Sequence, residues 1–236
     1  MQTILKLALI LLPALLTHDA LVGQDPGGKD KAREYFTETD LDLAIDSITG
    51  GKDAKQKLGY DGKYGYVNAD GKVVTKEKGK EVEFQALGCS AFASAVVHRL
   101  QKGSFQGIST KVHQEFGGKP LARHYGLEQA RSTTATEFLA DMADKSKRKA
   151  AAGVYLFELD GEALLEGGKT EPRAHVGFLL IAETKVRQVH FSGLKKYQGL
   201  ADDERFHEFV EGSLYKDAKG KKATTLTLWK LPKPTK

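Results

Sequence analysis

The chain has one cysteine in 236 residues. A single thiol rules out an internal disulfide. Cys89 is therefore a small buried hydrophobe, an intermolecular partner or a free reactive group. After the first two dozen residues no apolar run is long enough to span a membrane. No compact series of Cys, His, Asp and Glu has metal-ligand spacing, so neither a metal nor another cofactor is expected. The length suits one medium domain, and 40% hydrophobic with 28% charged residues excludes wholesale disorder.

The N-terminus is the exception. Met1 to Lys6 is a short basic start, "LALILLPALL" is an apolar core, and "THDALVGQD" turns polar. This pattern reads as a secretory signal over residues 1–23, cleaved near Gly23. It implies a secreted or periplasmic protein with no stable membrane insertion after cleavage. The net charge of +5 survives cleavage, because Lys6 and Asp19 cancel. A basic secreted protein is drawn to anionic envelope polymers. The competing reading is that "KSKRK", "KDAKGKK" and "KLPKPTK" are solvated faces and ends. Nucleic acid is not an expected partner.

Residues 24–60 read as an N-terminal extension containing one short helix, in which Leu41, Ile45 and Ile48 share a face. Residues 61–236 read as the main domain. "GKYGYVNADGKVVT" has a hairpin signal at Asn68–Gly71 and resembles one unit of the WG-repeat family, with Tyr64 in place of its tryptophan. A lone unit cannot stack into an array, so a hairpin is expected. Phe92, Ala93, Val96, Val97 and Leu100 form a helical stripe after Cys89. "TATEFLADMADKSKRK" reads as one helix with a capping box at Thr134 and Glu137. "GVYLFEL", "HVGFLLIA", "KVRQVHF" and "ATTLTLWKL" read as strands. Helices followed by strands predict an α+β fold, with N-terminal helices packed on a central antiparallel sheet.

Cys89 falls at the predicted start of its helix, where free N–H groups and the positive dipole end favour a thiolate. Gly88 permits close approach of a substrate backbone, and the helix-start N–H groups, with Ser90 among the first residues, offer an oxyanion site. Among the histidines, His98 lies half a turn away from Cys89, at about 100° per residue. His113, His124 and His207 lie in polar, weakly periodic contexts. His175 and His190 sit in strands of one predicted hairpin. A turn centred at Ala182–Glu183 places them directly opposite; a turn one residue later pairs His190 with Gly177. Either register puts both imidazoles on one face. The set then offers a nucleophile, a base and an orienting group. A zinc site built from the same three side chains is the less favoured alternative, since a cysteine at a helix start is better explained as a nucleophile.

With these residues in view, the sequence resembles the NlpC/P60 cysteine peptidases, which share the papain-like fold. The matching motifs, in order, are "GCSAF" (88–92), "GVYLFEL" (153–159), "HVGFLLI" (175–181) and "VHFSG" (189–193). The resemblance implies Cys89 as nucleophile, His175 as base and His190 as orienting residue, in a peptidase or amidase acting on peptidoglycan stem peptides. Relatives of this architecture also act on other amides or transfer acyl groups. The family often supplies an upstream tyrosine to the oxyanion site, for which Tyr64, Tyr66 and Gln85 are the candidates. Gly88, Ala91 and Val154 depart from the family's usual Asp, Gly and Asp. The rival from another class is a non-catalytic envelope-binding module of the same fold.

Overall fold

The computed structural model describes residues 34–51, 57–62, 64–108, 118–164, 169–193, 198–212 and 224–234. The expected signal peptide, His113 and the basic run at 216–222 lie outside them. Among the described residues no helix is long and apolar enough to cross a membrane.

The architecture is α+β. Six strands form one antiparallel sheet in the order β10-β9-β8-β7-β11-β6. They are β6 (Glu128–Thr134), β7 (Gly153–Leu164), β8 (Thr170–Ile181), β9 (Val186–Ser192), β10 (Gly199–Asp203) and β11 (Thr225–Lys230). Strands β7, β8, β9 and β11 are the expected ones, and β6 and β10 add the two edges. The hairpin signal at Asn68–Gly71 does join β2 (Tyr66–Val67) to β3 (Val73–Glu77), and β4 (Lys80–Glu83) extends it to a three-stranded sheet. A short parallel pair, β1 (Gly59–Tyr60) with β5 (Ala86–Leu87), leads directly into the cysteine helix.

Strand alternation divides the core into two layers. On one face, Val176, Phe178 and Leu180 of β8 and Val189 and Phe191 of β9 pack with α1 (Glu38–Thr49) and α2 (Cys89–Lys102). Phe92, fully buried, seats α2 there with its ring 4.8 Å from Phe191 and 6.2 Å from Phe178. On the other face, Leu179 and Ile181 of β8 and Phe157 of β7 pack with α4 (Ala135–Ala143) and α6 (Phe206–Gly212). The remaining helices are α3 (Gly118–His124) and α5 (Lys145–Ala150).

The helix ahead of residue 61 packs into the same compact unit as the sheet, Arg33–Lys236. Buried Leu41, Ile45 and Ile48 anchor α1 in the core, and Arg187 of β9 bonds Glu38 at 2.9 Å, Asp42 at 2.9 Å and Asp202 at 2.6 Å. The single helix over 135–150 is two, because Asp144 ends α4 and accepts from the Ser146 and Lys147 N–H groups to cap α5. The lysines of "KSKRK" pair with Asp141 and Glu183, so this run is not a patch of uncompensated positive charge.

Candidate active site

Cys89 is the first residue of α2, and Gly88 is its N-cap with no side-chain hydrogen bond to the helix N–H groups. Gly88 is required by crowding: a Cβ there would lie 2.9 Å from the Asp61 carbonyl oxygen. Asp61 donates its own N–H to the Leu87 carbonyl at 3.1 Å, so the β1–β5 pair grips the chain just before the thiol. Cys89 is half-buried, with Sγ 3.9 Å from the Ser90 hydroxyl. Burial pushes its thiol above the ordinary value, while the backbone at Val176 and the Ser90 hydroxyl pull it part of the way back.

The histidines meet as the hairpin register dictates. The Ala182 N–H bonds the Lys185 carbonyl at 2.9 Å, closing a two-residue loop at Glu183–Thr184. The ladder runs from Ile181↔Val186 to Phe178↔Val189, which is the later of the two expected turns. Continued by one residue, it sets His190 against Gly177. A Cβ on Gly177 would lie 2.5 Å from the His190 Cβ. The rings sit at 87° with centroids 4.7 Å apart, and His175 Nε2 lies 2.9 Å from His190 Nδ1. His190 Nε2 continues to Gln188 Oε1 at 3.1 Å, and Gln188 Nε2 donates to Asp203 Oδ1 at 2.7 Å. Phe157 and Phe209 enclose both rings.

This enclosure keeps both imidazoles uncharged near neutral pH. Burial lowers His175 well below its usual value, with His190 adding to the effect, and burial takes His190 down to about 3. The unfolded chain takes up these protons below about pH 6.5, whereas the native state refuses them. Stability is therefore full above that pH and falls as the solution is acidified toward pH 3. Each histidine is expected to cost up to about 1.4 kcal/mol per pH unit. Urea midpoints at pH 7 and pH 5 test this, and an unchanged midpoint counts against a buried neutral pair.

The structure brings together two of the three expected catalytic side chains. His175 and His190 project from the sheet face covered by α4 and α6, whereas Cys89 packs on the face covered by α1 and α2. No imidazole among the described residues hydrogen-bonds Sγ. The shared triad site expected from the sequence is therefore not assembled. Alternation settles which residues of one strand share a face, but not which face a separate helix will cover. Sγ meets the backbone at Val176, next to His175, where the β8–β9 ladder has already ended.

The oxyanion candidates are also redistributed. Gly88 and Ser90 flank the thiol. Tyr66 instead donates to Glu81 at 2.8 Å in the small sheet, Gln85 donates to Glu83 at 3.2 Å, and Tyr64 is 64% exposed. A tyrosine that sequence reasoning missed, Tyr60, pairs with Leu87 in the short parallel ladder, two residues before Cys89. It precedes Asp61 in β1, and its ring lies 2.7 Å from where a Cβ on Gly193 would project. Only the parallel β1–β5 pairing carries it there.

Other features lie apart. His98 bonds the Tyr125 hydroxyl at 2.6 Å in a structural contact. A cleft of about 680 Å³ between α1 and the β9–β10 edge is lined by Asp42, Asp46, Phe191 and Leu200, and by none of the three catalytic candidates. Among the described residues no three His, Cys, Asp or Glu side chains are grouped to hold a metal ion. Comparisons of the chain with family models, with curated proteins and with solved structures give no match.

Proposed function

We propose that the protein is a cysteine hydrolase of papain-like, NlpC/P60 type, secreted or periplasmic, that cleaves amide bonds. Peptidoglycan stem peptides are the first substrate class, and another amide or an acyl acceptor is the alternative within the same chemistry. The observation that carries the reading is the position of Cys89. It opens α2 at an N-terminus with no side-chain cap, beside the strand whose His175 is hydrogen-bonded to His190.

In this reading the resting pair is a thiol and a neutral imidazole rather than an ion pair. Proton transfer and attack are coupled, and the reading requires the substrate complex to bring together Sγ and His175, which the free protein holds on opposite faces of the sheet. His175 takes the thiol proton as sulfur bonds the carbonyl carbon, and the N–H groups at the start of α2 hold the oxyanion. As the C–N bond breaks, the imidazolium returns that proton to the leaving amine. Water, deprotonated by His175, then clears the thioester and restores the thiol. Tyr60, rather than Tyr64, Tyr66 or Gln85, takes the place of the upstream tyrosine.

A second reading is the non-catalytic envelope-binding module. It is favoured by the lack, among the described residues, of an imidazole contact at Sγ and by the raised thiol. Digestion of purified peptidoglycan by the wild type and by Cys89→Ala, with products identified by mass, separates the two. Soluble peptide fragments from the wild type alone are expected. Identical product profiles would overturn the hydrolase for that substrate.

A further inference from the structure

Beyond the histidine pair, the same face carries a hydrogen-bond chain whose polarity is dictated from its far end. Asp203, at the end of β10, is gripped by Arg205: its Oδ1 accepts from the Arg205 N–H at 2.9 Å, and its Oδ2 accepts from Nε at 2.9 Å. A carboxylate accepts only. The Gln188 amide therefore turns its NH2 toward Asp203, at 2.7 Å, and presents its carbonyl oxygen to His190. That oxygen also accepts only, so the proton on His190 belongs on Nε2, at 3.1 Å. In a neutral ring this leaves Nδ1 bare, and the 2.9 Å contact requires His175 to donate from Nε2. The outcome is a neutral His175 whose lone pair is on Nδ1, a nitrogen with no hydrogen-bond partner among the described residues.

We infer that Asp203 is a positioning residue that acts through Gln188 and His190 to hold His175 in the tautomer whose Nδ1 is free to accept a proton. The surrounding electrostatics agree. Burial opposes ionisation of Asp203, but its hydrogen bonds from Gln188 and Arg205 outweigh this and keep its carboxyl below the ordinary value. The Phe191 carbonyl competes, since it also lies near the His190 ring and favours a proton there. If that carbonyl captured Nδ1–H, the whole chain would run in the opposite sense. The tautomer assignment stands on geometry alone; its catalytic meaning rests on the hydrolase reading.

The test is nitrogen NMR of the full chain labelled with ¹⁵N-histidine, near neutral pH. In the wild type, His175 and His190 are each expected to show a protonated Nε2 and a bare Nδ1. Asp203→Asn removes the acceptor-only end, lets the Gln188 amide turn over, and is expected to bring in the opposite tautomer at both rings together. Arg205→Ala keeps the carboxylate and is expected to leave both tautomers as they are. A wild-type His190 protonated at Nδ1, or an Asp203→Asn spectrum unchanged at both rings, would overturn the inference. If turnover is measurable, kcat of Asp203→Asn is expected to fall by the same factor as the population of the Nδ1-bare form, with KM little changed. Absence of turnover in the wild type would count against the hydrolase and leave the tautomer result to be judged separately.

Discussion

Gly177→Ala is expected to destabilise the protein by about 3 kcal/mol, at the upper end of overpacking in a closed core. The added methyl would lie 2.5 Å from the His190 Cβ, 2.8 Å from the Phe157 ring and 2.9 Å from the Val189 carbonyl oxygen. Two of these neighbours are backbone or backbone-proximal atoms, and none is the far end of a flexible side chain. Relief therefore requires β8 and β9 to part, which costs ladder hydrogen bonds as well as packing. For a chain of this size the thermal midpoint should fall by roughly 6–12 °C. The same movement stretches the His175–His190 contact, so their NMR signals should change together with stability. A fully stable Gly177→Ala protein with an unperturbed histidine pair would mean that the strands do not meet as described.

Cys89 and His175 are expected to respond differently in two assays. The thiol is raised by burial and has no imidazole contact among the described residues, so iodoacetamide alkylation of the free protein should be slow at neutral pH. The rate should climb as the pH rises toward and beyond the ordinary thiol range. His175→Ala should leave that alkylation profile nearly unchanged. In turnover, by contrast, Cys89→Ala should remove activity by on the order of 10³-fold or more, and His175→Ala by about 10²–10⁴-fold. The combination is diagnostic. A fast neutral-pH alkylation that His175→Ala abolishes would show a preformed thiolate–imidazolium pair and contradict the separation of the two faces. Loss of turnover with unaltered alkylation would fit a pair assembled only around substrate.

Much of the architecture was legible because its causes are local. The β-branched and aromatic runs at 153–159, 175–181 and 225–230 became strands, and the stripe from Phe92 to Leu100 became the buried face of α2. The later hairpin register was one of two that the loop length permitted, and both predicted imidazoles on the same side. The edge strands were less legible. "GLADD" and "EQARSTT" are polar, short of β-formers and exposed on at least one side, so their pairing comes from neighbours rather than from propensity. Asp144 was read as an interior helix residue because the apolar period hardly changes there; its side chain prefers to cap the following turn. Tyr60 carried no signal of its own, since its approach to Gly193 depends on β1 lying parallel to a strand distant in sequence.

The amino-acid sequence by itself determined the central strands, the thiol at a helix start and the shared side of His175 and His190. Each of these follows from periods of 3.6 or 2 residues within one segment or one hairpin. Only the tertiary structure decided that α2 covers the opposite face of the sheet, and that Gln188 and Asp203 extend the histidine pair. The physical reason is that helix placement is settled by burying two competing apolar layers at once. Phe92 fits between Phe178 and Phe191, while Phe209 closes over the histidines, and no local pattern states which helix takes which side.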